Sequence, residues 1–337
     1  MTNTQPVPDA IMQLGLAFWG SKALLSAVEL DLFTTLANGP LTGEELTAKL
    51  GLQSRGTADW LDALVSLGML NRSGGEYANT PATSLYLDRA KSTYLGGMLE
   101  MANARLYLFW GSLTEGLRTG RPQNEAKTGG DFFAALYQDQ AKLRQFMQAM
   151  SGLSLGAAAA LADKFPWDRY HTVIDIGAAE GYVPAELALR HPHLTCGGFD
   201  LPAAGPAFDD YVASRGMASR LRFYPGDFFA DPLPSADVLI MGHILHDWSM
   251  DEKRTLIRKA HQALPDGGAL IIYDAIIDDD RRANTFGLLM SVNMLIETQS
   301  GFDYTAADCR SWLADAGFRN SYAEPLAGPD SMVVGIK

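Results

Sequence analysis

Cysteine is scarce in this sequence, since Cys196 and Cys309 are the only two. They form no CxxC or comparable pair, so the sequence predicts neither a disulfide framework nor a cysteine zinc site. It also lacks an uninterrupted apolar run of ~18 residues, the length that spans a membrane, and a basic segment followed by an apolar run near Met1. These absences favour a cytoplasmic protein with no membrane partner.

Basic residues are also fewer than acidic ones. The sequence has 27 lysines and arginines against 39 aspartates and glutamates, which gives a net charge of −12. Nucleic-acid binding depends on basic side chains that neutralise phosphates, so this balance predicts no nucleic-acid partner. Apolar residues, in contrast, make up 47% of the 337 residues. That is enough for two hydrophobic cores, and we place the two domains at residues 1–160 and 161–337.

The first domain has the pattern of a mostly α-helical winged-helix module. Apolar residues recur at helical spacing over residues 11–37, and Thr42 and Ser54 are candidate N-caps of a second helix pair. Residues 71–77 form a turn between two short strands, and a long helical pattern over residues 131–165 connects to the second domain. Helix, helix and hairpin in this order predict a winged helix.

Many winged helices bind DNA, and that interpretation has to be weighed. Residues 41–92 hold five basic and six acidic side chains, with Asp59 and Asp62 on the would-be recognition helix. Such a surface repels phosphates. The favoured use of the module is a homodimer interface formed by the apolar first helices.

The second domain is organised around residues 172–182, TVIDIGAAEGY, in which a β-branched strand runs into a glycine turn and then a helix. Small residues after the strand let the backbone approach a ligand at Gly177, and Gly181 permits close packing of helix on strand. The pattern predicts the first strand and ligand turn of a doubly wound, Rossmann-like α/β domain.

The turn lacks the GxGxxG pattern of dinucleotide sites and carries Glu180 where a pyrophosphate would have to approach. Asp200 ends the next strand, where an acid accepts hydrogen bonds from ribose hydroxyls. A nucleoside without phosphates fits both features, and S-adenosylmethionine is the favoured cofactor. The alternative is that Asp200 only ends a strand.

Two further strand ends carry functional side chains. Asp227 and Phe228 follow the third strand, where a carboxylate can bind the adenine amino group and a ring can stack on the base. His246 follows the fourth strand closely, because Ser249 and Glu252 form a capping box for the next helix. The imidazole is therefore expected at the ligand edge of the sheet; the alternative is a capping or solvated histidine.

Four motifs in this order, DIGAAEG (175–181), FDLP (199–202), GDFF (226–229) and LHDW (245–248), carry a family resemblance. Together with the helical winged module, they make nearly the whole chain similar to the caffeate and acetylserotonin type of S-adenosylmethionine-dependent O-methyltransferases, which includes bacterial enzymes of secondary metabolism. The resemblance implies a class I methyltransferase domain behind a dimerisation domain. It also implies transfer of a methyl group to a hydroxyl of a small aromatic metabolite.

By this resemblance His246 is the general base, flanked by Asp274 and Asp303 where the family has glutamates. The resemblance also implies residues that contact S-adenosylmethionine: Met150, Ser154, Gly177, Asp200, Asp227 and Phe228. Those that would line the acceptor pocket are Trp110, Phe146, Met147, Asn293 and Met294. A neutral imidazole is a suitable base for a phenol, whose pKa is ~10.

The sequence departs from the family at several of these positions. Both flanking acids are one methylene shorter, and Gly242 replaces a lysine of the plant members. Asn293 and Tyr304 offer an amide and a hydroxyl for hydrogen bonds to a polar acceptor group. His243 and His246, with Asp247, are conceivable metal ligands, but we expect no metal, because the strand-to-loop geometry predicts no converging third ligand and the similar family works without metal.

Two other functions stay open at this stage. The first keeps the cofactor but methylates sulfur, nitrogen or carbon, as in a thioether acid that needs no base. The second is a cofactor-binding protein that no longer methylates, or a regulator that uses its winged module. Loss of most activity in a His246→Ala variant would favour the hydroxyl acceptor.

Overall fold

The computed structural model describes residues 7–91, 93–128, 136–137 and 139–337. The chain folds into two compact units, Met1–Leu108 and Phe109–Lys337. The long connector helix lies inside the second unit, whereas the sequence-based boundary placed it with the first. The predicted helical segment before residue 140, including Phe132 and Phe133, falls largely outside the described residues.

The first unit contains helices and a small antiparallel sheet of strand order β1-β3-β2. Its elements are α1 (Asp9–Leu16), α2 (Phe18–Glu29), α3 (Leu32–Thr35), β1 (Leu41–Thr42), α4 (Gly43–Lys49), α5 (Ser54–Ser66), β2 (Leu70–Ser73), β3 (Glu76–Asn79), α6 (Pro81–Tyr86) and α7 (Gly96–Met101), followed by a π-helical segment over 102–106. The predicted order, a helix pair followed by a hairpin, is present, and β1 is an additional strand.

The two predicted N-caps of this unit have different outcomes. Thr42 caps α4 in a reciprocal capping box with Glu45, as the sequence indicates. Ser54 is not an N-cap, since α5 begins at Ser54 and is preceded by Gln53 without a side-chain cap. Arg55 and Gly56 leave the helical region and kink the first turn, so the prediction for Ser54 is wrong.

Helices α1 and α2 expose a continuous set of apolar side chains. Ile11, Leu14 and Trp19 are 76%, 80% and 63% exposed, whereas Ala27 and Val28 are buried in the core of the unit. The combined stretch Asp9–Glu29 is long and apolar enough to cross a membrane by length and composition, with a mean hydropathy of 1.3. Counting only uninterrupted apolar runs in the sequence did not find it.

The second unit is built on a seven-stranded sheet of order β6-β5-β4-β7-β8-β10-β9. The strands are β4 (Thr172–Ile176), β5 (Thr195–Asp200), β6 (Leu221–Pro225), β7 (Val238–Gly242), β8 (Ala269–Asp274), β9 (Asn320–Pro325) and β10 (Ser331–Ile336). The helices are α8 (Tyr107–Trp110), which begins just before this unit, α9 (Leu113–Thr119), α10 (Gln140–Lys164), α11 (Tyr182–Arg190), α12 (Gly205–Ser214), α13 (Met250–Ala263), α14 (Thr285–Glu297) and α15 (Ala306–Asp315).

Strands β4 to β8 are parallel, and the order reverses between β4 and β7, which confirms the doubly wound α/β prediction. Apolar side chains on the two faces of the sheet form separate buried clusters. Strand β10 is antiparallel to β8, but it is not the edge strand. Strand β9, which the sequence analysis did not identify, pairs with its outer side.

Candidate active site

The carboxyl ends of the parallel strands meet at one edge of the sheet, and the predicted site residues follow them. Gly177 comes after β4, Asp200 ends β5, and Asp227 lies two residues after β6. His246 follows β7 in a short 3-10 turn, and Asp274 ends β8. Because ligands of doubly wound domains bind at this edge, beside the reversal in strand order, the fold brings these five residues to a common site.

The turn after β4 has a backbone that only glycine adopts without strain at two positions. Gly177 and Gly181 have φ angles of 80° and 85°, and the Gly177 amide donates to the Phe199 carbonyl at 2.8 Å. A Cβ at Gly177 would lie 2.3 Å from Ile244 Cδ1, and one at Gly181 would lie 2.5 Å from the Phe208 ring. The close packing predicted at Gly181 is therefore present, against Phe208 of α12, whereas the approach of a ligand to Gly177 stays a prediction.

Asp200 is buried, and protein groups already hold its carboxylate. Oδ2 accepts a hydrogen bond from the Ala179 amide at 2.8 Å, and Oδ1 accepts from the Tyr137 hydroxyl at 2.9 Å. Burial raises the pKa of Asp200, and these hydrogen bonds oppose the rise. A carboxylate has further acceptor positions for ribose hydroxyls. Tyr137 carries no local sequence signal, so the sequence analysis did not identify it.

Two serines of α10 face this edge of the sheet. The Ser151 hydroxyl donates to Glu180 at 2.6 Å, and Ser154, which is buried, accepts from the Tyr273 hydroxyl at 3.4 Å. Met150 precedes Ser151 on the same helix, one turn before Ser154, and is partly buried. Asp227 uses Oδ1 to accept from the Phe229 amide at 2.8 Å, and Phe228 packs edge-on against Phe229. The connector helix therefore reaches the strand ends that carry the glycine turn.

His246 is buried, and carboxylates surround its ring. Nδ1 lies 3.3 Å from Asp303 Oδ1 and 3.8 Å from Asp274 Oδ1, and Nε2 lies 3.6 Å from Asp247 Oδ1. The Asp303 amide donates to the Ser291 hydroxyl oxygen at 3.1 Å, which ties this acid to α14. Both acids named from the sequence therefore face Nδ1, despite their shorter side chains.

The predicted acceptor residues fall into two groups. The Trp110 indole donates to Asn293 Oδ1 at 2.8 Å, although 183 positions separate the two residues. Met147 is buried in a cluster with Ala204 and Ala207, and Phe146 packs against the same cluster. Met294, the next residue of α14, is buried. The structure thus joins Trp110 to Asn293 and places Phe146 and Met147 in a separate cluster.

Family models match both parts of the chain. An O-methyltransferase dimerisation domain matches residues 12–89, and an O-methyltransferase domain matches residues 110–319. The chain belongs to the O-methyltransferase family.

Several methyltransferases resemble this chain over nearly its whole length. It is 45% identical to the tetracenomycin polyketide synthesis 8-O-methyl transferase of Streptomyces glaucescens, over 98% of this chain and 97% of that protein. It is 37% identical to an N,N-dimethyltransferase of Streptomyces rimosus, over 100% of both chains. The structure of human N-acetylserotonin methyltransferase in complex with S-adenosylmethionine superposes with a TM-score of 0.90 at 28% identity, covering 100% of this chain and 99% of that one. The cofactor is S-adenosylmethionine, as the sequence predicts.

In this methyltransferase the neighbouring acids raise the pKa of His246. Burial alone lowers the pKa of His246, but the Asp247, Asp274 and Asp303 carboxylates outweigh it and raise this pKa to about 10. Burial raises the pKa of Asp274 to about 7, against the opposing effect of the imidazolium. The resting cluster therefore holds a proton on His246 at neutral pH.

Tyr304 departs from its expected role. Its side chain is 1% exposed, and its hydroxyl donates to Asp274 Oδ2. The expectation that this hydroxyl donates to the acceptor is wrong, because it donates to the buried Asp274 carboxylate.

A glycine is needed at position 242 because space is lacking there. A Cβ at Gly242 would lie 2.0 Å from the Tyr273 ring. The ring occupies the space that a side chain at position 242 would need.

The expectation that no third ligand converges with His243 and His246 is wrong. Donor atoms of His243, His246 and Asp274 lie within 4.8 Å of one another, so a third ligand does converge, and it is Asp274 rather than Asp247. The sequence could not show this, because the contact depends on the pairing of β7 with β8.

Proposed function

We propose that this methyltransferase moves the methyl group of S-adenosylmethionine to a hydroxyl of a small aromatic, polyketide-type acceptor, with His246 as general base. The observation that carries the proposal is the buried imidazole whose Nδ1 faces Asp303 and Asp274 at the ligand edge of the sheet. In the neutral ring this contact keeps the proton on Nδ1 and leaves Nε2 to receive the acceptor proton. The acceptor class follows the name of the relative that is 45% identical.

The cofactor activates the methyl carbon, so the chain's own residues have two tasks. Met150, Ser154, Gly177, Asp200, Asp227 and Phe228 hold the cofactor, and Trp110, Phe146, Met147, Asn293 and Met294 position the acceptor for in-line displacement. His246 takes one proton, and Asp274 and Asp303 stabilise the resulting imidazolium. A bound sulfonium is cationic and would lower the pKa of a nearby imidazole, which would favour the neutral form that catalysis requires.

The experiment compares wild type with His246→Asn on phenols of graded acidity, scored by S-adenosylhomocysteine release. General-base removal should lower kcat by ~10²- to 10⁴-fold on weakly acidic phenols. The loss should shrink for nitro-substituted phenols, which are already ionised at the assay pH. The dissociation constant of S-adenosylmethionine, measured by calorimetry, should stay unchanged and serves as the folding control. An equal loss across the whole series would contradict the base assignment.

A second acceptor class has one specific observation in its favour, namely the N,N-dimethyltransferase that is 37% identical. A neutral amine attacks the methyl carbon with its own lone pair, so His246 is not needed as base. Turnover of amines that survives His246→Asn would support this alternative. Amine and phenol panels therefore belong in the same screen, together with carboxylic and thioether acceptors.

We also propose that the enzyme is a cytoplasmic homodimer. The first unit matches a dimerisation domain and exposes Ile11, Leu14 and Trp19 on α1 and α2, which supports an interface at these helices. Cys196 and Cys309 are buried free thiols, which is compatible with a reducing compartment.

A further inference from the structure

We propose that His243, His246 and Asp274 form a binding site for one divalent transition-metal ion, with Zn²⁺ as the probe. Asp274 Oδ1 lies 3.7 Å from His243 Nδ1 and 3.8 Å from His246 Nδ1. Donor atoms of the three residues lie within 4.8 Å of one another, and Asp303 Oδ1 lies beside them, 3.3 Å from His246 Nδ1. Two imidazole nitrogens and one carboxylate oxygen thus converge, as in zinc sites with three protein ligands.

The donor set and its spacing suit zinc. Zn²⁺ binds histidine nitrogen at ~2.0–2.1 Å and carboxylate oxygen at ~2.0–2.2 Å in tetrahedral geometry, which separates neighbouring ligand atoms by roughly 3.4 Å. The two separations from Asp274 Oδ1 are 3.7 and 3.8 Å, and all three ligand atoms lie within 4.8 Å of one another, so side-chain shifts without backbone movement bring them to zinc distance. Two histidines with carboxylates are also a donor set for other first-row divalent ions.

The unbound cluster leaves buried polar atoms without hydrogen bonds. Asp274 Oδ1, Asp303 Oδ2 and His243 Nε2 have no hydrogen-bond partner among the described residues. Asp274 is 0% and Asp303 is 2% exposed. Buried carboxylate oxygens without partners are costly, and a cation between them removes that cost. Asp330 Oδ2 lies 3.8 Å from His243 Nε2, which is the place of the outer carboxylate that commonly orients a zinc-bound histidine.

Metal binding has a consequence that rests on the proposed function. A metal on His246 Nδ1 displaces the proton from that nitrogen and leaves the other proton of the ring on Nε2. Nε2 then has no free lone pair and cannot accept a proton from the acceptor hydroxyl. The ion is therefore an inhibitor of hydroxyl methylation, competing with the proton for the base.

The experiment uses the full-length enzyme, freed of metal by chelating resin. Zn²⁺ binding is measured by calorimetry and metal analysis, and the visible spectrum of bound Co²⁺ reports on coordination. His243→Asn removes a proposed ligand that has no role in methyl transfer, and asparagine tolerates the φ of 53° at this position. His171→Ala removes an exposed imidazole elsewhere in the same unit and is the matched control.

Wild type and His171→Ala should bind one equivalent of Zn²⁺ and lose phenol methylation as the site fills. His243→Asn should bind it at least ~10-fold more weakly and retain methylation at the same Zn²⁺ concentration. Absence of stoichiometric binding, or equal affinity in His243→Asn, would overturn the site. Binding that depends on His243 without inhibition would support the site and contradict His246 as base. If His243→Asn fails to fold, the Co²⁺ spectrum of wild type decides, since a spectrum without histidine ligation refutes the proposal.

Discussion

At the scale of single residues, the charge state of His246 is set by the acids around it. Asp274→Asn removes a negative charge 3.8 Å from Nδ1 while leaving an amide that can still accept from Tyr304. Because the acids raise the pKa of His246 to about 10, this variant should lower it. The neutral base then forms at lower pH, so the rising limb of kcat/KM against pH should move down by ~1 unit or more.

The same substitution should reduce the maximal rate, because the imidazolium formed during transfer loses a stabilising carboxylate. A pH profile of kcat/KM measured with a neutral phenol in both enzymes checks both effects. Asp266→Asn, at an exposed acid outside the cluster, should leave the profile unchanged. A wild-type profile for Asp274→Asn would show that this carboxylate does not act on the base.

The residue scale also shows what sequence can and cannot predict. The position of His246 was predicted from local motifs, and the family resemblance added Asp274 and Asp303. The contacts that Tyr304 and His243 make with Asp274 were not predicted. They depend on which side chain reaches Asp274 across β7, β8 and the segment before α15, and no local pattern encodes them.

At the scale of elements, the turn between β4 and α11 depends on a glycine that has no room for a side chain. Gly177→Ala forces alanine to a φ of 80° and brings Cβ to 2.3 Å from Ile244 Cδ1. The backbone strain should cost ~1–2 kcal/mol and the crowding a further ~1–3 kcal/mol of unfolding free energy. Chemical denaturation should detect this loss, and calorimetry should show weaker S-adenosylmethionine binding because the turn is displaced.

Two variants separate strain from crowding. Gly216→Ala has a similar φ of 69° but no atom within 4 Å of the new Cβ, so it should lose only the strain component and keep cofactor affinity. Adding Ile244→Val to Gly177→Ala removes the colliding methyl and should restore part of the stability. If Gly216→Ala and Gly177→Ala behave alike, contact with Ile244 has no role.

The strands that could be predicted from the sequence are the buried ones, because burial requires a run of apolar residues. Strands β4, β7 and β8 are almost wholly buried and read as continuous apolar runs. Strand β9 (Asn320–Pro325) has no buried residue, so it shows neither a run nor an alternation and was missed. The kink at Arg55 and Gly56 escaped notice for a similar reason, since a polar, exposed first turn offers no periodicity.

At the scale of the whole molecule, acidic charge and apolar helices have to be reconciled. A net charge of −12 keeps identical chains apart at long range, so association requires a local apolar surface. Helices α1 and α2 supply one, because Ile11, Met12, Leu14, Phe18 and Trp19 are exposed within a single chain. The proposed subunit interface accounts for the length and hydropathy of Asp9–Glu29.

Leu14→Glu tests that interface directly. Leu14 is 80% exposed in the single chain, so a glutamate there should leave the folded unit intact but bury an unpaired charge on association. A central contact of this kind is worth at least ~2 kcal/mol, so the dimer dissociation constant should rise ~30-fold or more in analytical ultracentrifugation. Leu189→Glu, on α11 and 43% exposed, should leave it unchanged. Equal effects of both substitutions would place the interface elsewhere, because α1 would then have no special part in holding two chains together.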